Sequence, residues 1–273
     1  MNGGAFSNDA VLSNDAVLSK DAVLFDARDD GIAVITLNRP ETRNCLDRDV
    51  REGLRDAWNR FEHDHALRVA ILTGSGDETF CAGGDLKEMV NTAMAVPPRD
   101  MFALPYDTVE LSKPTIAAVN GVAYAGGWMI AQACDLCVAS TTAKFAVTEV
   151  KVGRSSPWAS PLIHMIPQRI MMEILLTGKP ISSARAYEIG LVNRLAEPAD
   201  LMATALDLAT EILSGAPLSV KAARETVMLS TDMGRSAALK AARHVSEYCY
   251  NSDDAQEGPA AFAEKRRPQW TGS

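Results

Sequence analysis

Short apolar runs separated by stretches of helical spacing limit this chain to a layered mixture of strands and helices. Ile32-Ala33-Val34-Ile35-Thr36-Leu37 is a continuous apolar segment ended by Asn38-Arg39-Pro40, and Arg68-Val69-Ala70-Ile71-Leu72-Thr73 and Thr115-Ile116-Ala117-Ala118-Val119 repeat the pattern. Each reads as a buried strand. Between the first two, over 47–65, Val50, Leu54, Trp58 and Phe61 recur at the intervals of an amphipathic helix. Alternating strands and helices predict an α/β core. From about Asp200 the pattern is helical only, over 201–213, 219–229, 235–250 and 254–265. The expected division is a core over 25–199 and a helical region over 200–273.

Residues 1–24 stand apart. Ser7-Asn8-Asp9-Ala10-Val11-Leu12 recurs at 13–18 and, with Lys20 in place of Asn, at 19–24. Three hexads are too few for a solenoid, and a loose tail arising from a duplicated coding stretch or an early start is the plain reading. A net charge of −8 over 273 residues argues against a broad electrostatic footprint on nucleic acid or an anionic membrane. An anionic ligand must therefore be held by local cations. No apolar run reaches the roughly 18 residues that span a bilayer. The acidic start lacks a basic segment followed by a contiguous apolar one, and Trp270-Thr271-Gly272-Ser273 is not a peroxisomal address. A cytoplasmic protein is expected. Cys45, Cys81, Cys134, Cys137 and Cys249 are an odd, scattered set, expected to be reduced packing residues, the Cys134-Asp135-Leu136-Cys137 spacing included.

Two glycine-rich segments and one glutamate stand out by their order and spacing. Phe80-Cys81-Ala82-Gly83-Gly84-Asp85-Leu86-Lys87-Glu88-Met89 follows the second strand, and its small residues let backbone amides approach a ligand. Asn120-Gly121-Val122-Ala123-Tyr124-Ala125-Gly126-Gly127-Trp128-Met129 follows the third and opens a helix, whose N-terminus adds a positive dipole. Glu149 stands twenty positions beyond Met129 (149 − 129 = 20), just past a short apolar run. Burial there raises a carboxyl above its ordinary pKa of about 4.3, toward a value useful for proton transfer.

Together these segments resemble the enoyl-CoA hydratase/isomerase (crotonase) superfamily, over roughly residues 25 to 270. The resemblance implies a spiral of repeated ββα units and a C-terminal helical region that closes the site and builds a homotrimer or a dimer of trimers. It implies an acyl-CoA thioester as substrate, with coenzyme A entering only as part of that substrate. It assigns the amides of Ala82 and Gly126, 44 positions apart (126 − 82 = 44), to an oxyanion hole for a thioester enolate. Each such donor is typically worth about 3 to 4 kcal/mol of barrier. Glu149 matches the second of the hydratases' two catalytic glutamates, and Met129 stands where the first would be. Cys81, Gly84, Asp85, Leu86, Trp128 and Met129 are the expected substrate contacts. Arg43, and Lys265 within Phe262-Ala263-Glu264-Lys265-Arg266-Arg267, are the expected cations for coenzyme A, the second in some relatives reaching across a subunit boundary.

Met129 cannot donate, accept or relay a proton, so water addition by two cooperating carboxylates is not available in its usual form. One carboxylate can still carry a proton between two carbons, and double-bond isomerisation is the least demanding chemistry. Hydration assisted by Glu149 alone, with water held by backbone groups or Ser155 and Ser156, is the first alternative. Lyase or decarboxylase chemistry and a catalytically weak thioester-binding protein are the others. The family's dehalogenase uses an aspartate beyond the second-glutamate position, and 150–158 contains no carboxylate. Arg154 is read as a surface ion pair, with a pocket-facing cation as the other reading. Met89, Met94, Met101, Phe102 and Leu104 flank a loop that lines the acyl tunnel in relatives, where methionines suit a bulky or variable acyl group, and core packing explains them equally well. His63-Asp64-His65 gives poor convergence and no third ligand, so no metal is implied. His164 is expected to be a packing residue.

Overall fold

The computed structural model describes residues 21–91 and 96–273. Val23–Ala27 (β1) pairs antiparallel with Ile32–Leu37 (β2). The core thus starts inside the third hexad, earlier than the expected residue 25. Ala22 is fully buried, and its carbonyl accepts from the Asn38 N–H at 2.8 Å. Residues 1–20, which include the remainder of the repeat over 7–20, lie outside the described residues. Arg48–His63 (α1) follows, with the Asp47 side chain accepting from the Val50 N–H as N-cap. Val50, Leu54, Trp58 and Phe61 form its buried stripe.

The chain then makes three similar turns. Val69–Gly74 (β3) leads to Thr79–Cys81 (β4) and the helix Leu86–Asn91 (α2). Thr115–Val119 (β5) leads to Val122–Tyr124 (β6) and Gly126–Gln132 (α3). Leu136–Ser140 (β7) leads to Lys144–Ala146 (β8) and a 3-10 turn at Glu149–Val152. A second 3-10 stretch, Pro157–His164, precedes Gln168–Thr177 (α4), Ile181–Ser182 (β9), Ser183–Glu188 (α5) and Arg194–Ala196 (β10). In every turn the first strand joins one sheet and the second strand joins another. The smaller sheet runs β4-β6-β8-β9 and the larger β1-β2-β3-β5-β7-β10. Pairing is parallel throughout except at β1 and β9. This is the expected ββα spiral.

All six residues of β3 are buried, as a parallel strand covered on both faces requires. Ala70, Leu72, Ala117 and Val119 belong to the main core, which also contains Trp58 and Trp128. Val69, Ile71, Ile116 and Ala118 point the opposite way, onto Leu201, Ala205, Leu208 and Ala209 of Leu201–Leu213 (α6). Each large aliphatic side chain buried in these layers contributes roughly 1.5 to 3 kcal/mol.

Pro217–Asp232 (α7) and Arg235–Tyr250 (α8) form a hairpin, and Asp254–Glu264 (α9) packs on α8. Arg224 of α7 ties this hairpin to the core. Its Nε donates to both Asp135 oxygens at 2.9 and 3.0 Å, and its guanidinium lies 4.0 Å from the centre of the Tyr106 ring. Val227, Leu239, Tyr250 and Phe262 on these helices are exposed. No helix among the described residues is long and apolar enough to cross a membrane.

Candidate active site

β4, β6 and β8 lie side by side, with Cys81 opposite Ala123 and Tyr124 opposite Ala146. The segments leaving their C-terminal ends are therefore neighbours, and these are the three segments singled out in the sequence. Ala125, between β6 and α3, has φ 49° and ψ −119°, a conformation that costs a non-glycine residue on the order of 1–3 kcal/mol. Its N–H is held by the Ala146 carbonyl at 2.8 Å. The strained corner turns the first amides of α3 away from the sheet. Gly127 allows α3 to sit directly on β4, because a Cβ there would stand 2.0 Å from the Cys81 carbonyl oxygen.

Gly126 occupies the first position of α3, where an N–H has no intrahelical acceptor. A Cβ on Gly126 would lie 3.5 Å from the Gly84 nitrogen, so the two backbones touch. The expected pairing of Ala82 with Gly126 requires correction. The Ala82 N–H donates to the Arg43 carbonyl at 3.0 Å and is not free for a ligand, while the Leu46 N–H binds the Gly83 carbonyl at 2.8 Å. Among the described residues neither the Gly84 nor the Gly126 N–H has an acceptor. These two amides are the candidate donor pair, and Gly84 moves from general contact to oxyanion candidate.

Glu149 is half-buried in the 3-10 turn beyond β8. Its Oε1 accepts from the Trp158 indole N–H at 2.8 Å, and its Oε2 is buried without a partner among the described residues. Burial pushes the carboxyl above the ordinary glutamate range, against the Trp158 hydrogen bond, which pulls it down. The Trp158 carbonyl in turn accepts from Gln132 Nε2 at 2.6 Å, leaving Gln132 Oε1 buried and unpartnered among the described residues. Neither Trp158 nor Gln132 was singled out in the sequence. The only local signal is the three-residue spacing of Gln132 from Met129, which puts both on one side of α3.

Met129 is buried and part of the apolar core, so the place of a second acid is filled by a thioether. Trp128 is buried against Phe145, ring centres 5.7 Å apart, which makes it a core residue and not a substrate contact. Cys81 is also corrected: it is fully buried on β4, and burial pushes its thiol up to about 12. Asp85 caps α2, its Oδ1 accepting from the Lys87 and Glu88 N–H groups at 2.7 and 3.2 Å. Arg51 anchors α2 by a two-pronged bond to Glu88 at 2.7 and 2.8 Å. Leu86 is exposed on this helix, and the Met89 methyl packs where a Gly84 Cβ would be, 2.5 Å away. Phe102 and Leu104 pack on the core, and Met94 lies outside the described residues.

Arg43 is exposed on the loop that binds Ala82, at the rim of the site. Lys265 is exposed at the end of α9, an element that packs on α8. Arg154 is half-buried, and its N–H closes the turn onto the Glu149 carbonyl at 2.9 Å. His164 is exposed, contrary to the packing role expected of it. All five cysteines are free thiols.

The segments leaving β4, β6 and β8 bring to one end of the smaller sheet two amides without acceptors among the described residues and one half-buried carboxylate, a candidate site. Such a combination can stabilise negative charge on a carbonyl oxygen while a proton moves at the adjacent carbon. The family described as enoyl-CoA hydratase/isomerase matches residues 27–273. A curated relative, the (E)-benzylidenesuccinyl-CoA hydratase of Thauera aromatica, is 39% identical over 254 residues, 89% of this chain and 96% of the relative. The carnitinyl-CoA dehydratase of Proteus mirabilis (strain HI4320) is 37% identical over 248 residues, 87% of this chain and 94% of the relative. The crystal structure of an enoyl-CoA hydratase from Mycobacterium tuberculosis H37Rv superposes with a TM-score of 0.85 at 39% identity, covering 93% of this chain and 100% of that one. The chain belongs to the enoyl-CoA hydratase/isomerase family, has its crotonase fold, and is an acyl-CoA enzyme of that type.

Proposed function

We propose that this enzyme adds water reversibly to a 2-enoyl-CoA thioester with a single carboxylate. The observation that carries the reading is the divided duty of Glu149, one oxygen fixed by Trp158 and the other buried and free. The Gly84 and Gly126 amides receive the thioester oxygen. Water attacks Cβ as its proton passes to Glu149 Oε2, and the resulting enolate takes that proton at Cα. A raised carboxyl pKa suits both halves of this relay, because the group must accept a proton and then release it. The relatives named hydratase and dehydratase support this net reaction in its two directions.

A second reading is favoured by Met129. With an apolar wall in place of an acid, Glu149 can take a proton from Cα of a 3-enoyl-CoA and return it at Cγ, shifting the double bond without water. Arg43 at the rim binds the anionic part of coenzyme A. Lys265 reaches the nucleotide of a neighbouring copy in a homotrimer or dimer of trimers, an arrangement supported by the exposed apolar residues of α7, α8 and α9.

Incubation with matched 2-enoyl-CoA and 3-enoyl-CoA in deuterated water, followed by mass spectrometry, separates the readings. Gain of the mass of D2O is the expected result. A deuterium-labelled isomer with no added water would instead establish the proton shift, and no change with either substrate would reject both.

A further inference from the structure

The polar atoms around Trp158 go beyond what a proton shuttle needs. Two side chains meet on this one residue: Gln132 donates to its carbonyl at 2.6 Å and Glu149 accepts from its indole at 2.8 Å. Each is left with one buried oxygen that has no partner among the described residues. An amide oxygen buried without a donor is destabilising, and a carboxylate oxygen more so. Trp158 fixes both orphans in orientation, since each side chain has already spent its other polar atom. With Glu149 ionised, as it is before water attacks, both oxygens are acceptors only, so they match a group with two hydrogens to give. Met129, one turn before Gln132 on α3, is apolar and offers no competing contact.

We infer that Gln132 holds the attacking water, in place of the acid absent at Met129. This rests on the hydration reading. The water gives one hydrogen bond to Glu149 Oε2 and the other to Gln132 Oε1, which aims its lone pair at Cβ. During attack the O–H bond directed at Glu149 breaks and its proton moves to the carboxylate. The C=C electrons pass to the enolate oxygen held by the Gly84 and Gly126 amides. The enolate then takes the Glu149 proton at Cα, and the hydrogen facing Gln132 stays on the new hydroxyl. Gln132 gains and loses no proton, so its contribution is orientation of a reactant.

The test compares two reactions of the same site. Hydration of a 2-enoyl-CoA needs the water, whereas exchange of the α-proton of a saturated acyl-CoA in D2O needs only Glu149 and the two amides. Gln132→Met removes both polar atoms at similar length. It should lower the kcat of hydration about 30- to 100-fold and leave the exchange rate within about twofold. Gln132→Asn withdraws the amide by one methylene and should show the same separation, and it decides the matter if the first variant does not fold. Equal loss of both reactions would assign Gln132 a structural role through Trp158 and overturn the inference, as would an unchanged hydration rate. Exchange without any water addition by the unaltered enzyme would overturn the hydration reading and this inference with it.

Discussion

The wall of the site that carries Gly84 and Gly126 is main chain locked by contact, whereas the wall that carries Glu149 is side chain held by hydrogen bonds. On the first, α3 lies so close to β4 that Gly127 admits no Cβ, and Ala125 keeps a strained conformation because β8 holds its amide. On the second, Glu149, Trp158 and Gln132 are joined by two hydrogen bonds and leave two buried oxygens open. Any change to the first wall moves strands. The second can be rewritten one side chain at a time, with the sheets undisturbed. On the proposed mechanism the main-chain wall fixes the class of intermediate, an enolate, and the side-chain wall decides where the proton goes.

The largest effect is expected from Glu149→Gln. Turnover should fall about a thousandfold while binding of an unreactive CoA thioester, followed by calorimetry, stays within about threefold. The effect on stability should have the opposite sign. A carboxyl raised in the folded protein keeps its proton where the unfolded chain has lost it, so stability drops as pH rises from the ordinary glutamate range through the raised value. Removing the carboxyl should raise the neutral-pH melting temperature slightly. Turnover and stability would then move apart, and a fall in both would break the distinction between the walls.

Next comes Gly127→Ala, which places a methyl 2.0 Å from the Cys81 carbonyl and must lift α3 off β4. Turnover should fall about a hundredfold and stability by about 1–3 kcal/mol, with no change in the shape of the pH profile. A variant that melts normally would show that the helix is not locked. Trp158→Phe should cost about tenfold in turnover. Losing the indole hydrogen bond removes an influence that lowers the Glu149 pKa, so the acid limb of the pH profile, already above the ordinary carboxyl value, should move higher. The smallest effect belongs to Cys81→Ala, expected to lower the melting temperature by a few degrees while turnover stays within about twofold, because the thiol is buried and protonated. A large loss of turnover there would return Cys81 to the site.

What the sequence disclosed follows how local each signal is. The strands Ile32–Leu37 and Thr115–Val119 and the helices Leu201–Leu213 and Arg235–Tyr250 were legible from composition and period, since each buries a pattern written in adjacent residues. The position of Glu149 was legible through its register with the glycine segments. The identity of the free amide in the first loop was not, because it depends on Arg43 and Leu46, some forty residues away, claiming their partners at Ala82 and Gly83. Trp158 and Gln132 were hidden for the same reason: their roles exist only once α3 and the Pro157–His164 stretch are side by side. The start of the core was misplaced because Ala22 and Val23 read as repeat, although β2 supplies them with a partner strand.

The alternation of strands between two sheets spreads the site over three successive turns, so its parts leave the ribosome separately. Strands of successive turns are neighbours in each sheet, but β3, β5 and β7 also bury one face on α6, so these layers close only once residues 201–213 have been made. The Gly84 loop emerges first, and Gly126 joins it when β6 docks on β4. Glu149 arrives last, with β8. Because β8 holds the Ala125 amide and α6 covers one face of β3 and β5, the pair of amides is set only when segments made after it have docked.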